Sequence, residues 1–112
     1  MLRDIVWIRA AEKEFLAFPL EVRERMVAAL RTAARGEKAD IAKPLTGLGG
    51  GVFEIALPYR GDAYRSIYCV RIGDDIWVVD AFKKKSKQGI KTPHADMERI
   101  RHRLKLLREQ LK

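Results

Sequence analysis

Between Val52 and Phe82 the chain carries three apolar runs, VFEIALP, AYRSIYCVRI and IWVVDAF, separated only by short polar breaks. In the first run Phe53, Ile55 and Leu57 alternate with Glu54 and Ala56, the period-two pattern of a half-buried strand. The break Gly73–Asp75, GDD, is short enough only for a hairpin turn. Three strands joined this way predict an antiparallel meander. Such a sheet needs helices from the flanking sequence to cover it.

Those helices are readable on both sides. DIVWI, Asp4 to Ile8, is β-branched and aromatic and predicts a short buried strand, and AAEKEFLAF a short helix. Pro19 suits the first turn of a second helix, about Pro19 to Arg35, whose Val22, Met26, Ala29, Leu30 and Ala33 share one face before Gly36 ends it. GEKADIAKPLTGLGGG reads as a loop. Thr92 before Pro93 marks a final helix start, with Asp96 in the first turn, where negative charge is favoured. Met97, Ile100, Leu104, Leu107 and Leu111 then form a narrow stripe that either packs on the body or offers a surface for a partner or for self-association. The order β-α-α-β-β-β-α, without an internal repeat, predicts a single domain over residues 1–112. Its expected class is α+β, a small antiparallel sheet with helices packed on one face.

Charge narrows the function. Lys and Arg number 23 against 15 Asp and Glu, a formal charge of +8. The half from Leu57 to Lys112 carries +7 of it. A polyanionic partner is the expectation. No stretch approaches the roughly 18 uncharged apolar residues of a membrane span, and the first residues, MLRDIVWIRA, are charged too early for a signal peptide, so a soluble cytoplasmic protein is expected. The single cysteine, Cys69, excludes an internal disulfide and reads as a small hydrophobe.

Several motifs have plain readings. GLGGG lacks the Gly-Lys-Ser/Thr end of a phosphate loop and runs straight into a strand, so it reads as a flexible turn. His94 and His102 would lie about 80° and roughly 12 Å apart on one helix, poor geometry for a shared metal ion, and no metal or cofactor is expected. Ser66 and Cys69 have no histidine beside them in the sequence to act as a base.

The basic set is more informative. Lys83, Lys84, Lys85, Lys87 and Lys91 crowd into the segment that follows the last strand, Arg65 and Arg71 lie on the neighbouring strand, and Arg60 stands in the turn before it. The end of one strand and the start of its hairpin partner meet at one edge, about 4.8 Å apart. Cations gathered there repel one another unless an anion binds. Tyr59, Tyr64 and Tyr68 interleave with the arginines as candidate stacking platforms for bases, or as core residues with hydroxyls at the rim.

Together VFEI, AYRSIYCVRIGDDIWVVDAFKKKSKQGIKTP and the upstream AEKEFLAFP resemble the RelE/ParE superfamily of bacterial toxins, in its phage-related, HigB-like branch. The resemblance spans about Ile5 to Ile100. It implies a β-α-α-β-β-β core with helices on one face of a curved sheet, and toxicity neutralised by a cognate antitoxin, often a helix-turn-helix protein. It further implies metal-independent cleavage of mRNA in the ribosomal A site, in which a 2′-hydroxyl attacks the neighbouring phosphate to leave a cyclic phosphate and a 5′-hydroxyl. That chemistry needs a base, cations to hold charge building on phosphorus, and an acid for the departing oxygen.

Arg65 matches the strand arginine of the family, and Lys84, Lys85 and Lys87 fall in its basic segment, so these are the implied catalytic residues. Arg60, Tyr64, Tyr68, Arg71, Lys83 and Lys91 are the RNA contacts expected from their charges and rings. One departure stands out. Ribonuclease members often carry basic residues on the VFEI strand, where this chain has Glu54 and Ala56. Glu54 is thus either a substitute base or the structural ion-pair partner of Arg65 or Arg71, and Arg60 a source of the displaced charge. Two other functions compete: the gyrase-poisoning branch of the superfamily, and a noncatalytic nucleic-acid-binding module.

Overall fold

The computed structural model describes residues 2–85 and 91–111. Its elements run β1 Ile5–Trp7, α1 Arg9–Leu16, α2 Leu20–Ala34, β2 Ala42–Pro44, β3 Val52–Tyr59, β4 Asp62–Ile72, β5 Asp75–Lys85 and α3 His94–Gln110. The expected α+β class and element order are present. The sheet has five strands in the order β1-β5-β4-β3-β2.

Three particulars differ from the sequence reading. β1 pairs with β5 in parallel, so the sheet is mixed rather than antiparallel. β2, within the stretch read as a loop, pairs with β3 through Ala42 and Ile55. It is three residues long and ends in Pro44, which only an edge strand tolerates, so no period-two signal announced it. The helices also lie on both faces of the sheet, not one.

The division between faces follows from strand alternation. Ile55 and Leu57 of β3, Tyr64 and Tyr68 of β4 and Val78 of β5 pack with Phe15, Phe18, Val22, Met26 and Leu30 of the α1–α2 layer. Val52, Ile67, Cys69, Val79 and Phe82 pack with Ile100, Leu104 and Leu107 of α3. Strand β4 is therefore buried without interruption from Tyr64 to Cys69. The apolar stripe of α3 serves packing, except that its last member, Leu111, is exposed.

A bulge in β5 decides what faces α3. Ile67 opposes Asp80 while Tyr68 opposes Val78, which leaves Val79 as the extra residue. The shift turns both Val79 and Asp80 toward α3. Val79 joins the apolar cluster there, and Asp80, fully buried, accepts from Arg99 Nε at 2.9 Å and lies 3.2 Å from Arg103 Nη1. Arg99 also holds Asp96 at 2.8 Å, and Arg103 holds Glu14 of α1 at 3.1 Å. The helix is thus tied to the sheet by charge as well as by leucines. No described helix is long and apolar enough to cross a membrane.

Burial pushes the Asp80 carboxyl above its ordinary value of 3.8, and Arg99 and Arg103 pull it only partly back. The fold therefore holds this proton more tightly than the unfolded chain does. The stability so gained is complete below pH 3.8 and is lost as pH rises through the folded value. Arg99→Ala, which removes one counter-charge from two buried carboxylates, should cost about 3 kcal/mol at neutral pH in urea denaturation. That loss should shrink on acidification as Asp80 takes up its proton.

Candidate functional site

Glu54 on β3 and Arg65 on β4 project from the α3-facing side of the sheet, as alternation with Ile55 and Tyr64 requires. Arg65 Nη1 donates to Glu54 Oε2 at 3.3 Å and to Thr92 Oγ1 at 3.5 Å. The Thr92 hydroxyl in turn donates to Glu54 Oε2 at 2.5 Å. The cross-strand neighbours of Arg65 are Ala56 and Phe82. Its side chain is 5% exposed and that of Glu54 is 11% exposed, so the pair forms a nearly buried centre rather than a solvent-facing clamp.

Thr92 was expected to cap α3. The helix begins after Pro93 with no side-chain cap bond, because the Thr92 hydroxyl is committed to Glu54. Of the two arginines the sequence offered as ion-pair partners of Glu54, Arg65 and Arg71, the structure pairs it with Arg65.

The lysines separate by the same alternation. Lys84, opposite Ala63, lies on the α3 side, and its Nζ is 3.3 Å from Asp96 Oδ2. Lys83 and Lys85 lie on the other side, 3.9 and 3.6 Å from the carboxylate of Asp62. Lys91 is exposed beside Thr92. Lys87 lies outside the described residues.

Arg60 occupies the two-residue turn between β3 and β4, with φ 51° followed by Gly61 at 85°. Both central residues of such a hairpin turn need positive φ, which disfavours an arginine by roughly 1 kcal/mol or more. Its guanidinium lies 5.3 Å from the centre of the Tyr59 ring, at the end of the sheet that holds Lys83 to Lys85.

Three expected RNA contacts are not brought to this centre. Tyr68 is 1% exposed in the α1–α2 core, where burial pushes its hydroxyl up to about 12. It cannot stack on a base. Tyr64 is buried against Phe18, ring centres 4.9 Å apart, on the same far face. Arg71 is six residues beyond Arg65, about 20 Å along the strand. For the two tyrosines the core alternative holds, and for one reason. Alternating tyrosines on a strand share a face, and here that face is the one α1 and α2 cover.

Sequence reasoning missed the acidic half of the site. Asp62 and Asp96 stand beside the three lysines as internal counter-charges, and Thr92 orients Glu54. Asp96, read only as a helix-start charge, could have been found from its position beside the end of the lysine run. Among the described residues no three His, Cys, Asp or Glu side chains converge as a metal site.

The pairing of Glu54 with Arg65 predicts a clear order of stabilities. Glu54→Ala takes the carboxylate from a buried guanidinium and should cost about 3 kcal/mol, whereas Glu54→Gln keeps an acceptor for Arg65 and Thr92 and should cost about half that in thermal or urea unfolding.

Residues 13–105 match the family model of phage-derived, Gp49-like proteins (DUF891). In structure the chain is similar to an arginine-to-alanine double mutant of the E. coli toxin RelE in the free state. That match has 20% sequence identity and a TM-score of 0.60, covering 80% of this chain and 88% of that one. It is similar also to the crystal structure of isolated E. coli RelE, at 20% identity and TM-score 0.57, covering 89% and 97% of the two chains. At this identity the likeness is one of fold. A comparison with curated protein sequences finds no match.

Proposed function

Because this chain belongs to the Gp49-like family of phage-derived proteins and has the RelE fold, we propose that it is the toxin of a type II toxin–antitoxin system, a ribosome-dependent mRNA endoribonuclease of the HigB-like kind that works without a metal ion. The observation that carries the reading is the cluster of Glu54, Arg65, Thr92 and Lys84 on one face of a RelE-type sheet in a strongly basic protein.

Glu54 is the base of this reading. Its carboxylate, held by Arg65 and Thr92, takes the proton from the 2′-hydroxyl as that oxygen bonds to phosphorus. The bond from phosphorus to O5′ breaks, and Lys84 gives O5′ a proton, leaving a 2′,3′-cyclic phosphate and a 5′-hydroxyl. The cations Arg65 and Lys84 stabilise the charge gathering on the phosphoryl oxygens. Lys83, Lys85, Arg60 and Lys91 hold the flanking backbone, Lys87 extending the same segment. An incoming phosphate replaces Asp96 beside Lys84 and Asp62 beside the other lysines. A cognate antitoxin of the helix-turn-helix type, acting in the cytoplasm with its toxin, completes the system.

One observation favours a second reading. Three carboxylates, Glu54, Asp62 and Asp96, stand against the four cations Arg65, Lys83, Lys84 and Lys85, so much of the cationic set is matched within the protein, as suits a RelE-fold protein that binds gyrase and cuts no RNA.

Brief expression of the wild-type chain, mapped for transcript ends with gyrase assayed in the same cells, separates the two. New 5′-hydroxyl ends inside coding regions are expected. Arg65→Lys keeps the charge but loses the planar fork, and should lower their yield by about 10²–10³. Intact mRNA with inhibited gyrase would transfer the function to the second reading.

A further inference from the structure

The loop Gly47–Gly51, GLGGG, has no part in the centre around Arg65, yet two guanidinium groups lie on its backbone. A Cβ at Gly50 would stand 2.4 Å from Arg71 Nη1, one at Gly51 2.6 Å from Arg71 Cγ, and one at Gly49 3.0 Å from Arg108 Nη2. A larger residue at Gly50 or Gly51 would displace Arg71. Arg108 Nη2 donates to the Leu48 carbonyl at 3.0 Å, and Arg101 Nη2 to that of Gly47 at 3.4 Å. Lys105, four residues after Arg101, falls on the same face of α3. Gly47, Leu48 and Gly49 line an open concavity of about 350 Å³ with Arg101, Lys105, Arg108 and one acidic residue, Glu109, while Arg71 lies against the loop at its rim, beside Gly50 and Gly51.

These cations differ from the lysines beside Asp62 and Asp96. Arg101 pairs with Glu98, but Arg71, Lys105 and Arg108 have no carboxylate partner among the described residues. Charges this close repel, and one carboxylate, Glu109, stands near them without forming an ion pair among the described residues. A glycine floor without side chains lets a chain-like ligand come close, and planar guanidinium forks match phosphate oxygens. The concavity is open and shallow, suited to a polymer backbone rather than an enclosed small molecule.

We infer that the Gly47–Gly51 loop, with Arg71, Lys105 and Arg108, is a second contact for the phosphodiester backbone of RNA, about 20 Å along β4 from Arg65. The inference rests on RNA being the target but not on its being cut. Strand β4 thus carries an arginine of the cleavage centre near one end and an arginine of the holding site at the other.

The test is fluorescence anisotropy with a labelled 2′-O-methyl RNA oligonucleotide, which lacks the attacking hydroxyl, titrated between about 50 and 200 mM salt. The double variant Arg71→Gln/Lys105→Gln changes two exposed side chains with no described hydrogen bond. It should bind about tenfold more weakly at the lower salt, with a salt slope shallower by about 1.4, or 0.7 per lost phosphate contact. Gly50→Ala keeps every charge but pushes Arg71 aside and should weaken binding about threefold. Should the double variant not fold, Lys105→Gln alone must flatten the slope by about 0.7.

Unchanged affinity and slope in the folded variants would overturn the inference, as would a wild-type chain that does not bind this RNA. So would variants that lose binding to poly-glutamate while keeping that to RNA, which would mark the surface as one for an acidic protein. A flattened slope in a chain that makes no transcript cuts would leave this site standing and remove the ribonuclease reading; intact cleavage with an unchanged slope would do the reverse.

Discussion

A sheet face that buries Arg65 and Asp80 must find their counter-charges inside the protein, and the position of α3 follows from how it does so. Stranding either charge would cost several kcal/mol. Asp80 is answered by Arg99 and Arg103 from the helix, and Arg65 by Glu54 from the next strand, with Thr92 closing the group just before the helix begins. The bulge at Val79 supplies the register for this, since without it Val79 and Asp80 would point to opposite faces. Leucines alone would hold α3 against the sheet; the ion pairs fix where along the sheet its N-terminal turn sits.

That turn shapes the site. It brings Asp96 to Lys84 and Thr92 to Glu54, so the chemistry-bearing end of the sheet is assembled partly by the helix that covers it. In the free protein most of the cations at this end are already matched to carboxylates. On the proposed function, binding of an RNA phosphate at Lys83 to Lys85 is an exchange of one anion for another. Lysines half or more exposed, such as Lys83 and Lys85, make the exchange cheap, because solvent screens their bonds to Asp62. Buried Arg65 makes no such exchange; on the proposed function it keeps Glu54 and adds its positive charge to that of Lys84.

Much of the fold was legible in the chain. β3, β4 and β5 showed themselves by alternation and tight turns, and α2 by a face that repeats through Val22, Met26 and Leu30. β2 was not, because three residues ending in proline have no period. The parallel pairing of β1 with β5 and the split of the helices between faces were hidden too, since burial on both sides erases the polar alternation that would name the covered face. The same erasure left Tyr64 and Tyr68 open between a core and a stacking role, and the structure places both in the core. In the site, Glu54 and Arg65 could be found by residue type, but their union with Thr92 joins positions 38 residues apart along the chain, which no local pattern records. The acidic partners Asp62 and Asp96 stand far from the lysines along the chain, 21 and 12 residues from Lys83 and Lys84, and only the strand pairing and the placement of α3 bring them together.

On the proposed function Glu54, held by Arg65 and Thr92, drives attack by a ribose hydroxyl on mRNA presented by the ribosome. End-group analysis of mRNA incubated with the purified protein on purified, programmed ribosomes addresses it most directly. Upstream fragments ending in a 2′,3′-cyclic phosphate and downstream fragments beginning with a 5′-hydroxyl are expected, their formation slowed about 10²–10⁴-fold by Glu54→Gln. Uncut mRNA, fragments beginning with a 5′-phosphate, or an undiminished rate in the folded Glu54→Gln variant would contradict it.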